Sequence, residues 1–291
     1  MITLCGSGFL GSELSNELIR SSVVFSQVSR AFQYLHRKKG FEFNFDLQNC
    51  QYFINCSGPS SISESLVQPD LYIYDPVLQL KSHFRYFKSL NIFPTYIYFS
   101  SAAVYGNAVS PSIEDVSRKP MSPYAKGKVL AEDYLMKESN SYLGRIIVLR
   151  VTSSFANSLD TRVLGLIRNS LNTGLPLELW GKGDEVRDFI HTRDIYQGIQ
   201  RIIESPTHSK IEFYNLGSGI TRSIVELVKI ALESRGLDLS FSEERFSFNG
   251  LEPLGNPKSI AVSIGKIQRL GFAQQYSNPA NLIKYFTGTD E

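Results

Sequence analysis

The segment Gly6-Ser-Gly-Phe-Leu-Gly11 follows a short apolar run at 1–5 and leads into Leu10, Leu14 and Leu18, one face of a helix. A strand that passes into a helix through glycines so spaced constrains the fold more than anything else in the chain. The turn must be tight, the backbone must be open to approach, and the helix must lie close on its strand. The helix N-terminus also favours negative charge, so Gly6, Gly8 and Gly11 read as a cradle for the diphosphate of a dinucleotide.

Further apolar runs at 23–28, 41–45, 52–56, 95–101 and 145–152 alternate with helical patterns, the longest from Pro69 to Leu90. Several runs are apolar on both faces, as strands buried in a parallel sheet are. The expectation is an α/β fold: a doubly wound parallel (Rossmann) sheet with a smaller C-terminal substrate lobe. The dinucleotide-binding domain is expected over 1–155. A helix over 194–204 and a strand over 213–216 return to the sheet, which about 194–219 completes. The lobe takes 156–193 and 220–291, with a helix over 161–172 and a strand over 177–180.

Composition narrows the class. A chain that is 42% hydrophobic and 20% charged has the balance of a globular domain. A net charge of +2 gives no electrostatic attraction to nucleic acid or a membrane surface. No apolar run reaches membrane-spanning length. The apolar residues begin at Ile2 without a basic leader, so no secretory signal is expected. Cys5, Cys50 and Cys56 lack metal-ligand spacing and suit a reducing compartment, so the expected location is the cytoplasm and no metal is expected.

The end of the second strand bears on the choice of dinucleotide. An acid there would bind the adenosine ribose hydroxyls. This chain has Ser29-Arg30, with His36, Arg37, Lys38 and Lys39 beyond. A hydroxyl and a guanidinium both donate to a 2′-phosphate, which favours NADP over NAD. The other reading is a solvated Arg30 and a site that takes either. Asp46, at the end of the third strand, accepts from the adenine amino group or caps the helix before Leu47.

Tyr124-Ala-Lys-Gly-Lys128 supplies reactive groups. Ser122 is placed to cap a helix and Pro123 to begin it. Tyr124 and Lys128 then share one helix face, a turn apart. A nearby ammonium lowers a phenol pKa from about 10, and a phenol so tuned can take or return a hydroxyl proton. Ser101, at the carboxyl end of the run 95–101, can hydrogen-bond the same oxygen. The plain alternative is an amphipathic surface pair. Tyr34-Leu-His-Arg-Lys38 has the same spacing, but lies in a strongly basic segment and reads as a chance match.

The chain resembles the extended short-chain dehydrogenase/reductase family, in its nucleotide-sugar epimerase/dehydratase branch. The matching segments are Gly-Ser-Gly-Phe-Leu-Gly (6–11), Asn-Cys-Ser-Gly (55–58), Ser-Ser-Ala-Ala-Val-Tyr-Gly (100–106) and Ser-Pro-Tyr-Ala-Lys-Gly-Lys (122–128). Arg-Asp-Phe-Ile-His-Thr-Arg-Asp (187–194) and Tyr-Asn-Leu-Gly-Ser-Gly (214–219) follow in family order. The resemblance implies Tyr124 as general acid/base, Lys128 as holder of the nicotinamide ribose and Ser101 as third member of a catalytic triad. It adds Phe9, Leu10, Leu47, Ser57 and Gly58 to the cofactor contacts. Arg187 matches an arginine that contacts the substrate diphosphate; the other reading is a salt bridge between lobes. It also implies a nucleotide-diphosphate sugar as substrate and a homodimer built on the Tyr124 helix and the helix at 69–90.

The departures from the family pattern are specific. Cys5 replaces the usual first loop glycine and is expected to alter the turn slightly. Pro76 replaces a common asparagine. Ser153 stands where several epimerases place an asparagine near the substrate diphosphate, and Pro253 takes the place of a second phosphate-binding arginine. Ala102 and Ala103 follow Ser101 where dehydratases carry acids, and alanine cannot transfer a proton. The expected activity is nucleotide-sugar epimerisation by reversible hydride transfer. The alternative is an NADPH-dependent keto-sugar reductase. A dehydratase or a non-catalytic NADP-sensing protein fits the residues less well.

Overall fold

Strands form on the apolar runs and on a few short polar segments. In chain order they are β1 (Ile2–Cys5), β2 (Phe25–Val28), β3 (Tyr52–Asn55), β4 (Thr95–Ser101), β5 (Ile146–Val151), β6 (Ser153–Phe155), β7 (Leu177–Leu179), β8 (Val186–His191), β9 (Ile211–Leu216), β10 (Thr221–Ser223), β11 (Phe246–Phe248) and β12 (Ser259–Ile260). The helices are α1 (Phe9–Arg20), α2 (Ile62–Val67), α3 (Pro69–Leu90), α4 (Pro123–Glu138), α5 (Val163–Thr173), α6 (Thr192–Glu204), α7 (Ile224–Ser234), α8 (Gly265–Gln268) and α9 (Pro279–Thr287). This computed structural model describes residues 1–28, 47–107, 111–156, 162–206, 209–238, 245–252 and 254–289. The strand expected at 41–45 lies outside them.

The chain divides into two units. The first comprises Met1–Tyr105, Glu114–Val151 and Glu204–Tyr214. Its framework is a six-stranded sheet in the order β2-β1-β3-β4-β5-β9. β1 pairs in parallel with β2 and β3, and β4 in parallel with β3 and β5. The order reverses beside β1, as it does in a doubly wound sheet. On one face, Leu80, Phe84 and Phe87 of α3 and Ala131 and Leu135 of α4 join Phe53, Tyr96, Tyr98, Ile146 and Val148 in a single core. The α3 residues recur at helical spacing, the stripe that buries a helix against a sheet.

Helix α4 starts as its residues require. The Ser122 hydroxyl accepts from the Ala125 amide at 3.2 Å, and Pro123 opens the first turn. Helix α3 runs through Pro76, which is buried. Proline has no N–H to give to the carbonyl of Tyr72, four residues back. That carbonyl lies where a Cβ on Gly127 of α4 would be, so the two backbones touch at this point.

The second unit comprises Gly106–Ile113, Thr152–Ile203 and Asn215–Glu291. β8 lies between β10 and β12 and also pairs with β6, and β7 pairs with β11. Phe155, Leu164, Ile167, Phe189, Leu227, Ala231, Tyr285 and Phe286 belong to its core. Helix α7 begins in a capping box: the Ser223 hydroxyl accepts from the Glu226 amide and the Glu226 carboxylate from the Ser223 amide.

Candidate active site

The loop after β1 meets the requirements of a diphosphate cradle, one glycine at a time. Gly6 has a φ of +116°, and a side chain there would press on the backbone of Cys56 and Ser57 at 3.0 Å. A Cβ on Gly11 would strike the Gly6 carbonyl, which is how α1 lies close on β1. Around Gly8 nothing lies within 4 Å of where a Cβ would stand. Gly8 is also the N-cap of α1, with no side chain bonded to the first-turn amides. Open space before a helix N-terminus that no N-cap side chain fills fits a diphosphate. Phe9 and Leu10 form the first turn of α1 and are partly buried. Cys5 ends β1 on ordinary backbone, because the left-handed conformation falls on Gly6.

The ends of β1 and β3 rest on a buried polar network. The Ser57 amide donates to Asn55 Oδ1 at 3.0 Å, and the Ser57 hydroxyl lies 2.9 Å from Gln79 Oε1. Asn55 Nδ2 donates to the Tyr96 hydroxyl at 2.9 Å, which meets His83 Nδ1 at 2.7 Å. Gly58, with φ of +117°, has open space at its missing side chain. Leu47 is buried in the core, and its carbonyl accepts from the Cys50 amide. Ser29, Arg30, Asp46 and the second Tyr-Lys pair, Tyr34 and Lys38, lie outside the described residues.

Ser101, Tyr124 and Lys128 come together from β4 and α4. The Ser101 side chain lies near enough to the Tyr124 phenol to lower its pKa, and it accepts from the Ala103 amide at 3.2 Å. Lys128 is buried, and its Nζ donates to the Phe99 carbonyl at 2.7 Å. The ammonium lies 4.9 Å from the centroid of the Tyr98 ring and 5.8 Å from that of Tyr124. Burial lowers the Lys128 pKa to about 8, against the opposing charges of Glu132 and Cys56.

The tyrosine corrects one expectation. Its pKa is raised, not lowered, because loss of solvent outweighs the influence of Ser101. Lys128 is aimed at the Phe99 carbonyl rather than at the phenol oxygen, so it does not offset that burial. Sequence spacing places the two residues on one face but does not fix where a long side chain ends.

One turn beyond Lys128 is an acid that sequence reasoning did not single out. Glu132 is fully buried. It accepts from Ser100 Oγ at 2.6 Å, from Arg150 Nε at 3.0 Å and Nη2 at 2.8 Å, and from Arg118 Nη1 at 3.1 Å. These bonds tie α4 to β5 and to the residue before Ser101. The signal in the sequence is an acid one turn after the lysine, but its partners are distant along the chain.

In the second unit, Arg187 lies on β8 and its Nη1 donates to the carbonyls of Val186 at 2.8 Å and Lys258 at 3.0 Å. Burial lowers its pKa, with Glu185 as the opposing charge. Among the described residues it makes no ion pair with a carboxylate. Ser153 opens β6, opposite Phe189 of β8. The next residue after Arg187 behaves differently: Asp188 is fully buried and accepts from the Ser218 amide at 2.8 Å and hydroxyl at 2.7 Å and from the Gly219 amide at 2.9 Å.

The sequence model of the NAD-dependent epimerase/dehydratase family matches residues 3–217. A dTDP-4-dehydro-6-deoxyglucose reductase of Escherichia coli is 28% identical over 134 residues, 45% of this chain and 42% of that protein. An uncharacterised UDP-glucose epimerase of Bacillus subtilis is 26% identical over 194 residues, 65% of this chain and 57% of that protein. The chain thus spans about half the length of these curated relatives. A UDP-glucuronic acid 4-epimerase variant from Bacillus cereus, in complex with a fluorinated UDP-sugar and NAD, superposes with a TM-score of 0.82. It is 19% identical, with 100% of both chains covered, a likeness of fold.

Proposed function

The chain belongs to the NAD-dependent epimerase/dehydratase family, and on that premise we propose that it is a nucleotide-sugar epimerase. The reading is carried by one observation: the Tyr124 phenol beside Ser101, with Lys128 one turn along the same helix. In this reading 1–155 and 194–219 bind the dinucleotide, while 156–193 and 220–291 bind the sugar nucleotide. The bound nicotinamide supplies the acceptor and donor of hydride. Gly6, Gly8 and Gly11 receive its diphosphate, Ser57 and Gly58 flank it, and Lys128 holds its ribose.

Tyr124 takes the proton of the sugar hydroxyl as the carbon–hydrogen bond breaks. Ser101 shares the hydrogen bond and keeps the phenol oxygen directed at that hydroxyl. The keto-sugar turns over, hydrogen returns to its other face, and Tyr124 gives the proton back. The raised pKa makes the Tyr124 phenol a weaker acid and its phenolate a stronger acceptor of the sugar proton. Arg187 and Ser153 hold the substrate diphosphate. Ala102 and Ala103 carry no proton, which disfavours dehydration.

The test offers UDP-glucose, UDP-arabinose and UDP-glucuronic acid to the protein and follows carbon-4 epimers by proton NMR. Epimer formation without net change in the dinucleotide supports the proposal. Net consumption of NADPH with a dTDP-keto-sugar favours the reductase, to which Ser29-Arg30 also points. We further propose a preference for NADP over NAD, which Ser29→Asp with Arg30→Ala reverses; a tighter NAD titration in the wild type would sink it. The expected assembly is a homodimer through α3 and α4, whose exposed Leu71, Tyr74 and Leu78 recur at helical spacing. Sedimentation as a monomer at micromolar concentration counts against it. A cytoplasmic location accords with three free cysteines.

A further inference from the structure

Arg222 of β10 stands directly opposite Arg187 of β8 in an antiparallel ladder. Residues so paired project from the same face of the sheet, with Cβ atoms about 5 Å apart, and like charges there repel. An acid between them would settle the pair, yet the acids nearby are committed elsewhere. Glu185 accepts from the amides of Lys182 at 3.2 Å and Gly183 at 3.0 Å. Glu226 feels the charge of Arg222 but gives its short bond to the Ser223 amide at 2.7 Å, and Asp184 pairs with Lys258 at 2.8 Å. Asp188 is spent on Ser218 and Gly219, and as the neighbour of Arg187 it faces the other side of β8.

Neither guanidinium forms an ion pair with a carboxylate among the described residues. Arg222 Nε is buried and has no hydrogen-bond partner among the described residues, while the residue as a whole keeps partial exposure. A buried donor without an acceptor is costly and marks a place where an acceptor is missing. Two guanidinium forks on adjacent strands match the oxygens and the charge of two linked phosphates.

We propose that Arg187 and Arg222 together clamp a nucleoside diphosphate, with Arg222 a second phosphate-binding residue of the substrate site. The inference rests on the reading of Arg187 given above. Arg187 has two carbonyls to orient it, so it is the fixed arm. Arg222 is the arm whose Nε is satisfied only when the anion arrives. The predicted ligand class is a diphosphate ester, with the sugar or base recognised by other residues.

Calorimetric titration of inorganic pyrophosphate and of UDP tests the clamp in the wild type, Arg222→Ala, Arg222→Gln and Arg187→Ala. NAD(H) titrated into the same samples is the control. Both Arg222 variants are expected to lose about tenfold to a hundredfold in affinity for pyrophosphate and UDP, and to keep NAD(H) binding. Wild-type affinity in Arg222→Ala, with loss in Arg187→Ala, overturns the clamp and leaves Arg187 as the diphosphate ligand. Unchanged affinity in both overturns the clamp and the reading of Arg187 together. If the alanine variant does not fold, Arg222→Gln decides in the same way, because its stem preserves the packing without the charge. No binding of either probe to the wild type also overturns it.

Discussion

Lys128 and Glu132 sit one turn apart on the same face of α4, and both are buried. Glu132 accepts four hydrogen bonds from three side chains. Lys128 gives one, to the Phe99 carbonyl, and its pKa falls to about 8. The second unit repeats the contrast on β8. Asp188 is saturated by Ser218 and Gly219, while Arg187 beside it holds only carbonyls. Where a buried charge is fully bonded it serves the scaffold. Where it is left partly unbonded, the proposed function supplies a ligand as the missing partner. Burial alone does not separate the two cases; the count of partners does.

The sharpest way to break this contrast is to remove the saturated acid. Glu132→Ala leaves Arg150 buried without its partner, an expected loss of about 3–5 kcal/mol of stability. Urea unfolding checks it, and a near-neutral result would return Glu132 to the surface-like class. Tyr124→Phe tests the opposite side. Turnover is expected to fall by about a hundredfold or more, with folding and NAD(P) binding retained. Tyr34→Phe, the other copy of the spacing, is expected to be nearly silent. A reversed outcome for the two tyrosines would move the site.

Arg187→Ala is expected to weaken a nucleotide sugar by about 1.5–3 kcal/mol, far more than it weakens NAD(P). Equal loss of both ligands would place Arg187 with Asp188 on the structural side. The smallest effect is one of pH. The folded Lys128 pKa is about 8 against an ordinary 10.5, so between those values the unfolded chain binds more protons than the folded one. Stability therefore rises with pH in that window, by about 1 kcal/mol from pH 8 to pH 9 for this group. The difference between unfolding curves of wild type and Lys128→Met isolates it. A difference that does not change with pH means that the lysine is solvated.

Local pattern accounts for what the sequence makes legible. The helix over about 69–90, the strand from Thr95 to Ser101 and the start of the Tyr124 helix are legible, because proline, apolar periodicity and the Ser122 cap act within a few positions. The glycine loop is equally local. Glu132 with Arg150 and Arg187 with Arg222 are not, since each pair is made by sheet order and register rather than by spacing. The Tyr124 pKa fails for a related reason: its sign depends on how much solvent the fold removes and on where Lys128 Nζ ends. The choice between NAD and NADP stays with Ser29 and Arg30, outside the described residues.

The contact between Gly127 and the Tyr72 carbonyl works as a notch. Two residues with poor helix propensity, Pro76 and Gly127, are spent at one crossing. Tyr124 and Lys128 therefore have their height above the sheet indexed by a residue that touches no substrate. Gly127→Ala would lift the helix at that point and misplace the phenol and the ammonium together, so tolerance at this position gauges how finely the site must be aligned.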